Sequence, residues 1–154
     1  MTDNDIKELL NSKELSVIED TVSGMCKMYV NKEFIDFTIG ILRREISNSG
    51  LSLEYIRSYF RLKKDLIIKF GIKLNNTLKN TPLEEEYPAG EGIPKSEKSK
   101  VIASHGLGIG FSVKYAIYLH FLETNPNDLL DYIKKERIPK AQKFHNTLKE
   151  IYNS

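Results

Sequence analysis

Apolar residues recur at intervals of three and four along almost the whole chain, which is the spacing of amphipathic helices. One such stripe covers residues 15–29, and a second covers residues 34–46 and includes Glu45 among its apolar members. The second helix should end near Gly50, because glycine readily takes the left-handed conformation that stops a helix. No segment keeps the two-residue alternation of a half-buried strand. The fold class that this pattern predicts is all-α.

A third helical pattern, over residues 52–78, carries its apolar side chains on one broad face. Arg57, Arg61 and Lys64 lie on the opposite side, spaced four and three residues apart, so they form a basic face. We expect Gly71 either to weaken this helix or to kink it, and to cost about 1 kcal/mol relative to alanine if the helix continues through it.

The most apolar segment, residues 101–124, has hydrophobic side chains on most of its helical circumference. A helix of that kind belongs at the centre of a domain. Before it, residues 87–100 combine proline, glycine and charge without an apolar period, which is typical of a long flexible loop. Pro126 and Pro139 each fit the first position of a further helix. We therefore predict a single domain over residues 1–154, a bundle of six or seven helices around the central apolar one.

Three glycines at alternate positions stand inside the central segment, in the sequence SHGLGIGFS at residues 104–112. A Walker-type phosphate loop also needs lysine followed by serine or threonine, and a dinucleotide fingerprint needs G-x-G-x-x-G after a strand; neither pattern is present. Gly106 and Gly110 are four residues apart and share one helix face, so they predict close packing against a neighbouring helix. A helix break at these glycines is the alternative.

The composition, 40% hydrophobic and 29% charged over 154 residues, is that of a folded soluble domain. One cysteine cannot form an internal disulfide, and the first residues are acidic where a secretory signal would be basic and apolar. No apolar run approaches the roughly 20 residues of a membrane span. We therefore expect a cytoplasmic protein. Because lysine far outnumbers arginine, and asparagine and isoleucine are abundant, we also expect a microbial source such as a bacterium with an AT-rich genome.

Charge is segregated along the chain, although the net charge is only +2. Residues 1–40 contain 4 basic and 8 acidic residues, whereas residues 41–80 contain 9 basic and 3 acidic ones. The basic face of Arg57, Arg61 and Lys64 suggests nucleic-acid binding, because lysine and arginine contacts to phosphate supply most non-specific affinity. The acidic N-terminal block and the lack of a recognisable DNA-binding motif make this hypothesis secondary.

Residues with metal-binding or catalytic chemistry are sparse. The chain has one cysteine and three histidines, His105, His120 and His145, with no pair three to five residues apart, so we expect neither a metal site nor a cofactor. We interpret His105 and His120 as histidines at the edge of the core, held by hydrogen bonds. No set of nucleophile, base and orienting group is evident, so we do not expect an enzyme. The enzymatic alternative places His105 in a pocket with residues 87–100, as a general acid or base.

Tyrosine is frequent, with 8 residues, and tryptophan is absent. We expect Tyr55, Tyr59, Tyr115 and Tyr118 to border the inner faces of their helices with the hydroxyl groups in water. Tyrosine is also enriched at protein interfaces. The margin of the core is therefore the preferred interpretation for most of these rings, and a protein interface is the alternative.

The leading functional hypothesis is a small protein-binding module. It follows from a compact helical chain that has charge blocks of both signs and no catalytic set. The acidic residues Glu84, Glu85, Glu86 and Glu91 would suit a basic partner through electrostatic steering. We expect an immunity or antitoxin-like protein that neutralises or modulates a protein partner such as a toxin nuclease. Nucleic-acid binding and a small enzyme are the alternatives.

Overall fold

The structure, a computed structural model, describes residues 1–23, 32–79, 111–138 and 140–154. Several predicted features lie outside these residues. They include two segments, the loop at residues 87–100 and the first part of the central helix at residues 101–110. They also include the residues His105, Gly106, Gly110, Glu84, Glu85, Glu86 and Glu91. The predictions that concern them stay predictions.

Seven helices make up most of the described residues, which contain no strand. The helices are α1 (Asp3–Leu10), α2 (Lys13–Ser23), α3 (Lys32–Ser49), α4 (Leu53–Lys79), α5 (Phe111–Thr124), α6 (Pro126–Lys135) and α7 (Ala141–Asn153). The predicted all-α bundle of six or seven helices is confirmed for this part of the chain.

Three helix boundaries follow the capping signals of the sequence, whereas α7 begins at Ala141 and not at Pro139 as predicted. Thr2 and Asp5 form a capping box at the start of α1, in which each side chain accepts a hydrogen bond from the backbone N–H of the other. Asn125 caps α6 and Pro126 occupies its first position, as predicted. Gly50 follows α3 with φ +71°, which confirms its expected role as the helix stop.

α5 lies at the centre of the bundle. Every residue from Ser112 to Leu119 is buried, and the helix contacts α2, α3, α4, α6 and α7. All seven helices contribute side chains to one hydrophobic core. A helix surrounded in this way needs apolar residues on its whole circumference, so the predicted central position is confirmed for residues 111–124. No described helix, α5 included, is long and apolar enough to cross a lipid bilayer.

α4 bends at Lys63, and of the two expectations for Gly71 the kink is wrong. Lys63 has φ −119° and ψ 21°, outside the helical range, whereas Gly71 lies within the regular helix. The missing side chain of Gly71 serves packing instead. A Cβ atom there would lie 2.8 Å from the ring of Tyr115 and 3.0 Å from Cγ1 of Val22. Gly71 therefore lets α5 and α2 approach α4 closely.

The expectation of solvated hydroxyl groups is wrong for Tyr115 and Tyr118, and the hydroxyl of the buried Tyr59 donates to Glu123. Tyr115 and Tyr118 are 1% and 0% exposed, because both lie on the buried central helix. Tyr115 Oη donates to Oδ1 of Asn75 at 2.5 Å, which satisfies that hydroxyl inside the core.

Candidate protein-binding surface

Two residues of the predicted basic face of α4 pair with acidic side chains of the two N-terminal helices. Arg57 donates to Glu8 on α1 at 3.2 Å, and Nε of Arg61 donates to Glu14 on α2 at 3.0 Å. Lys64 is exposed. The structure thus brings Arg57 and Arg61 together, one turn apart, but gives each of them a carboxylate of the same chain.

The pairing of N-terminal acids with basic residues extends beyond α4. A third ion pair joins Asp3 on α1 to Arg43 on α3. A cavity of about 170 Å³ between α1, α2 and α4 has as many glutamates as arginines in its wall, which consists of Glu8, Ser12, Glu14, Arg57, Phe60 and Arg61. The charge segregation in the sequence therefore becomes intramolecular pairing, which weakens the electrostatic argument for nucleic-acid binding at this face.

A second cluster lies where α4, α5 and α7 meet, and its character is aromatic. This aromatic surface comprises Tyr55, Tyr59, Leu62, His120 and Tyr152. Tyr55, Tyr59 and Leu62 follow one another at helical spacing along one side of α4. Tyr152 lies on α7, which packs against α4, and its charge is the smallest of the effects that raise the pKa of Tyr59. Tyr55, Leu62 and Tyr152 are 40%, 80% and 36% exposed, so the cluster reaches the solvent.

The rings of the aromatic surface hold defined relative orientations. Tyr55 and Tyr59 stack with centroids 6.0 Å apart and planes 23° apart. The His120 ring meets Tyr55 edge to face, with centroids 4.9 Å apart and planes at 78°. It meets Tyr59 in a similar way, at 6.3 Å and 85°. Offset-stacked and edge-to-face pairs are the arrangements that aromatic quadrupoles favour, so the three rings support one another.

Hydrogen bonds tie the polar ends of these side chains together. The hydroxyl of Tyr55 and Nδ1 of His120 are 2.7 Å apart. Tyr59 Oη donates to Oε1 of Glu123, and Lys63 Nζ donates to Oε2 of the same carboxylate at 3.2 Å. Both oxygens of Glu123 are therefore engaged by residues of α4. The interpretation of His120 as a histidine at the core edge, held by a hydrogen bond, is confirmed.

Burial shifts the acid–base behaviour of two members. It lowers the pKa of His120 below the ordinary value of 6.5, against the opposing negative charge of Glu123. Burial raises the pKa of Tyr59 well above its ordinary range, and the hydrogen bond to Glu123 raises it further. The neutral forms of both side chains are favoured near neutral pH.

A buried ion pair was not predicted from the sequence. Lys114 on α5 and Glu45 on α3 are 3.1 Å apart, and both side chains are 8% exposed. The hydroxyl groups of Tyr118 and Tyr132 are buried nearby, with no hydrogen-bond partner in the described part of the chain. Burial raises the pKa of the Glu45 carboxyl, and the Lys114 charge opposes that effect.

The sequence does carry a signal for this pair. Glu45 stands inside an apolar stripe, and Lys114 stands inside the most apolar segment, so each is a charge at a core position. That two such charges meet depends on how α3 and α5 pack, which the pattern of a single chain does not show. The third histidine, His145, is also buried and donates from Nε2 to the carbonyl oxygen of Pro126 at 2.7 Å.

The described residues contain no group of three or more histidine, cysteine, aspartate or glutamate side chains that could hold a metal ion. The aromatic surface combines solvent exposure, defined ring geometry and a hydrogen-bonding edge, and these three properties make it the candidate functional site. No family model, curated protein or solved structure matches the chain.

Proposed function

We propose that the protein acts by binding another protein through the aromatic surface. One observation carries the proposal: Tyr55 is exposed and belongs to a set of rings that is already ordered. Leu62, at helical spacing from Tyr59 on α4, and Tyr152 on α7 are exposed as well. Tyrosine is enriched in the parts of interfaces that contribute most binding energy. Covering a leucine that is 80% exposed contributes about 2 kcal/mol to an association.

The ordered rings also reduce the entropic cost of association. Each flexible side chain that becomes fixed in an interface costs roughly 0.5–1.5 kcal/mol. The stacking of Tyr55 on Tyr59 and the contacts of both rings with His120 meet part of that cost during folding. This surface is therefore better prepared for binding than one of isolated exposed side chains.

In its more specific form, the proposal is that the partner is a toxin, such as a basic nuclease, which this protein neutralises. The support for this form is the acidic set Glu84, Glu85, Glu86 and Glu91 in the sequence. Binding of a partner at the aromatic surface and neutralisation of a toxin are separate statements, and they are tested separately.

Site-specific photocrosslinking tests the binding proposal. A photoreactive phenylalanine analogue replaces Leu62 in the full chain, and the matched control carries it at Lys64. Both positions are exposed, but Lys64 lies beyond the bend at Lys63 and is not a member of the aromatic surface. In cells of the source organism, we expect one defined adduct from position 62 and none of that mass from position 64.

Two further variants decide whether an adduct reports on the aromatic surface. Tyr152→Ala should reduce the adduct from position 62, because it removes an exposed ring of the same surface. An adduct that forms equally from both positions, or that survives Tyr55→Ala combined with Tyr152→Ala, would contradict the proposal. For the toxin form, co-expression of the crosslinked partner with the wild-type chain should restore growth, and co-expression with the double variant should not.

A further inference from the structure

His120 and Tyr55 share one hydrogen bond at the exposed edge of the aromatic surface, with 2.7 Å between Nδ1 and Oη. When the imidazole is neutral and carries its proton on Nε2, Nδ1 accepts the phenolic proton of Tyr55. Both ring nitrogens of an imidazolium are donors. Protonation of His120 therefore forces the Tyr55 oxygen to accept, and the phenolic proton must turn away from the ring.

The residues around His120 determine what that change does to the surface. The charged or titratable groups that face it are Tyr55, Tyr59 and Lys63 on α4, Glu123 on α5 and, beside Tyr59, Tyr152 on α7. Glu123 is the one carboxylate among them, and its two oxygens already accept from Tyr59 and Lys63. An imidazolium at His120 thus adds a positive charge that no uncommitted carboxylate of this group balances.

We propose that His120 is a pH-sensitive switch in the aromatic surface: its protonation adds a positive charge and directs the Tyr55 hydroxyl outward as a hydrogen-bond donor. The exposure of Tyr55, at 40%, lets a partner or solvent receive that proton. A partner that presents a carboxylate beside Tyr55 binds the protonated form more tightly, by roughly three- to tenfold. This last consequence rests on the proposed function, whereas the switch itself is a property of the chain alone.

Burial of the imidazole sets the range in which the switch operates. It lowers the pKa of His120 from 6.5, and the negative charge of Glu123 opposes that effect. The neutral form is therefore the resting form near neutral pH, and the proposal assigns it the tautomer with the proton on Nε2, in which Tyr55 donates inward. The switch responds to mild acidity, which is the range in which histidine charge commonly changes.

Nuclear magnetic resonance on the full chain, labelled in histidine and tyrosine, tests the switch from about pH 4.5 to about pH 8. We expect a deprotonated Nδ1 at the upper end, and Tyr55 ring signals that titrate with the same midpoint as His120. His120→Gln should abolish the titration of Tyr55. Tyr55→Phe should raise the pKa of His120, because a donor to the neutral imidazole is lost. Tyr152→Phe is the matched control and should leave the joint titration intact.

Three results would overturn the switch. They are a protonated Nδ1 in the neutral imidazole, Tyr55 signals that stay constant while His120 titrates, and a His120 that does not titrate in this range. If no crosslinked partner is found at position 62, the proposed function fails. The joint titration of His120 and Tyr55 is measured without a partner, so its result still decides whether the switch exists. Once the crosslinked partner is identified, its affinity for the wild-type chain should depend on pH, and its affinity for His120→Gln should not.

Discussion

Gly71 on α4 faces Tyr115 on α5 so closely that an added Cβ atom would lie 2.8 Å from two carbons of the ring. The ring has little room to move, because Tyr115 is 1% exposed and its hydroxyl is bonded to Asn75 at 2.5 Å. The central helix and the longest helix thus meet at a position where a side chain is missing. The sequence suggests such an arrangement for Gly106 and Gly110, and Gly71 provides an observed example of it.

Gly71→Ala should lower the free energy of unfolding by about 1–3 kcal/mol, the usual cost of forcing extra volume into a packed core. The loss should appear although alanine favours the helix over glycine by about 1 kcal/mol. Urea unfolding followed by far-ultraviolet circular dichroism measures the difference.

Gly40 on α3 is the matched control for that experiment. An added Cβ atom there meets nothing within 4 Å, and the residue is helical and exposed. Gly40→Ala should therefore raise the free energy of unfolding by roughly 0.5–1 kcal/mol. Equal effects of the two substitutions would mean that helix propensity, and not the Tyr115 ring, determines the result at Gly71.

Much of the fold could be predicted from the sequence because its signals are local. The period of three to four apolar residues, the Asn125–Pro126 start and the Gly50 stop each depend on a few neighbouring residues. The central place of residues 111–124 also follows from composition alone. The bend at Lys63 has no such local signal, and the packing role of Gly71 depends on Tyr115, which is 44 positions away in the chain.

The candidate site was less predictable, since it depends on contacts between helices. Tyr55 and His120 are recognisable as residue types, but their hydrogen bond requires a particular packing of α4 on α5. Likewise, Arg57 and Arg61 look like a free basic face until α1 and α2 supply Glu8 and Glu14. Periodicity identifies which side of a helix is buried, and it does not identify the neighbouring helix.

Lys114→Met should make stability strongly dependent on pH, because it leaves Glu45 buried without its partner. Burial already raises the pKa of Glu45 above 4.5, so the folded state holds that proton more tightly than the unfolded state. The contribution of the Glu45 proton to stability is thus complete below pH 4.5, the ordinary pKa of glutamate, and is lost as pH rises through the folded-state pKa of Glu45. Without the Lys114 charge the loss should grow, reaching about 3–5 kcal/mol near neutral pH.

Denaturant unfolding between about pH 4 and about pH 8 measures this dependence. Glu45→Leu combined with Lys114→Met serves as the control, because replacing a whole buried pair by apolar residues is often neutral or stabilising. We expect the double variant to lose the pH dependence and to regain most of the stability. A single variant that is destabilised equally at both ends of the range would show that packing, not charge, dominates at Lys114.

Arg137→Gly should stabilise the protein by about 0.5–1 kcal/mol. Arg137 has φ +57° just after α6. Its N–H donates to the carbonyl oxygen of Lys134, and the N–H of Ile138 donates to the carbonyl oxygen of Ile133. This is the helix end at which glycine is preferred. Thermal unfolding provides the measurement, and Arg137→Ala is the comparison, since alanine removes the side chain and keeps the strained backbone. A gain from alanine as large as that from glycine would contradict the backbone explanation.

The ion pair between Arg57 and Glu8 should make a small, salt-dependent contribution to stability. Its partners are 25% and 70% exposed, and pairs of this kind are worth about 0.2–1 kcal/mol. In a double-mutant cycle with Arg57→Gln and Glu8→Gln, we expect a coupling energy in that range at low salt and a smaller one at high salt.

The same residues distinguish a structural basic face from one that binds nucleic acid. Glu8 and Glu14 pair with the guanidinium groups of Arg57 and Arg61. Glu8→Gln combined with Glu14→Gln should therefore increase retention on a heparin column, because both arginines lose these carboxylate partners. The wild-type chain should be retained only weakly, and Arg57→Gln should change that little. Strong wild-type retention that Arg57→Gln abolishes without altering stability would instead favour nucleic acid as the ligand of this face, since the phosphate contacts would then be available with the glutamates in place.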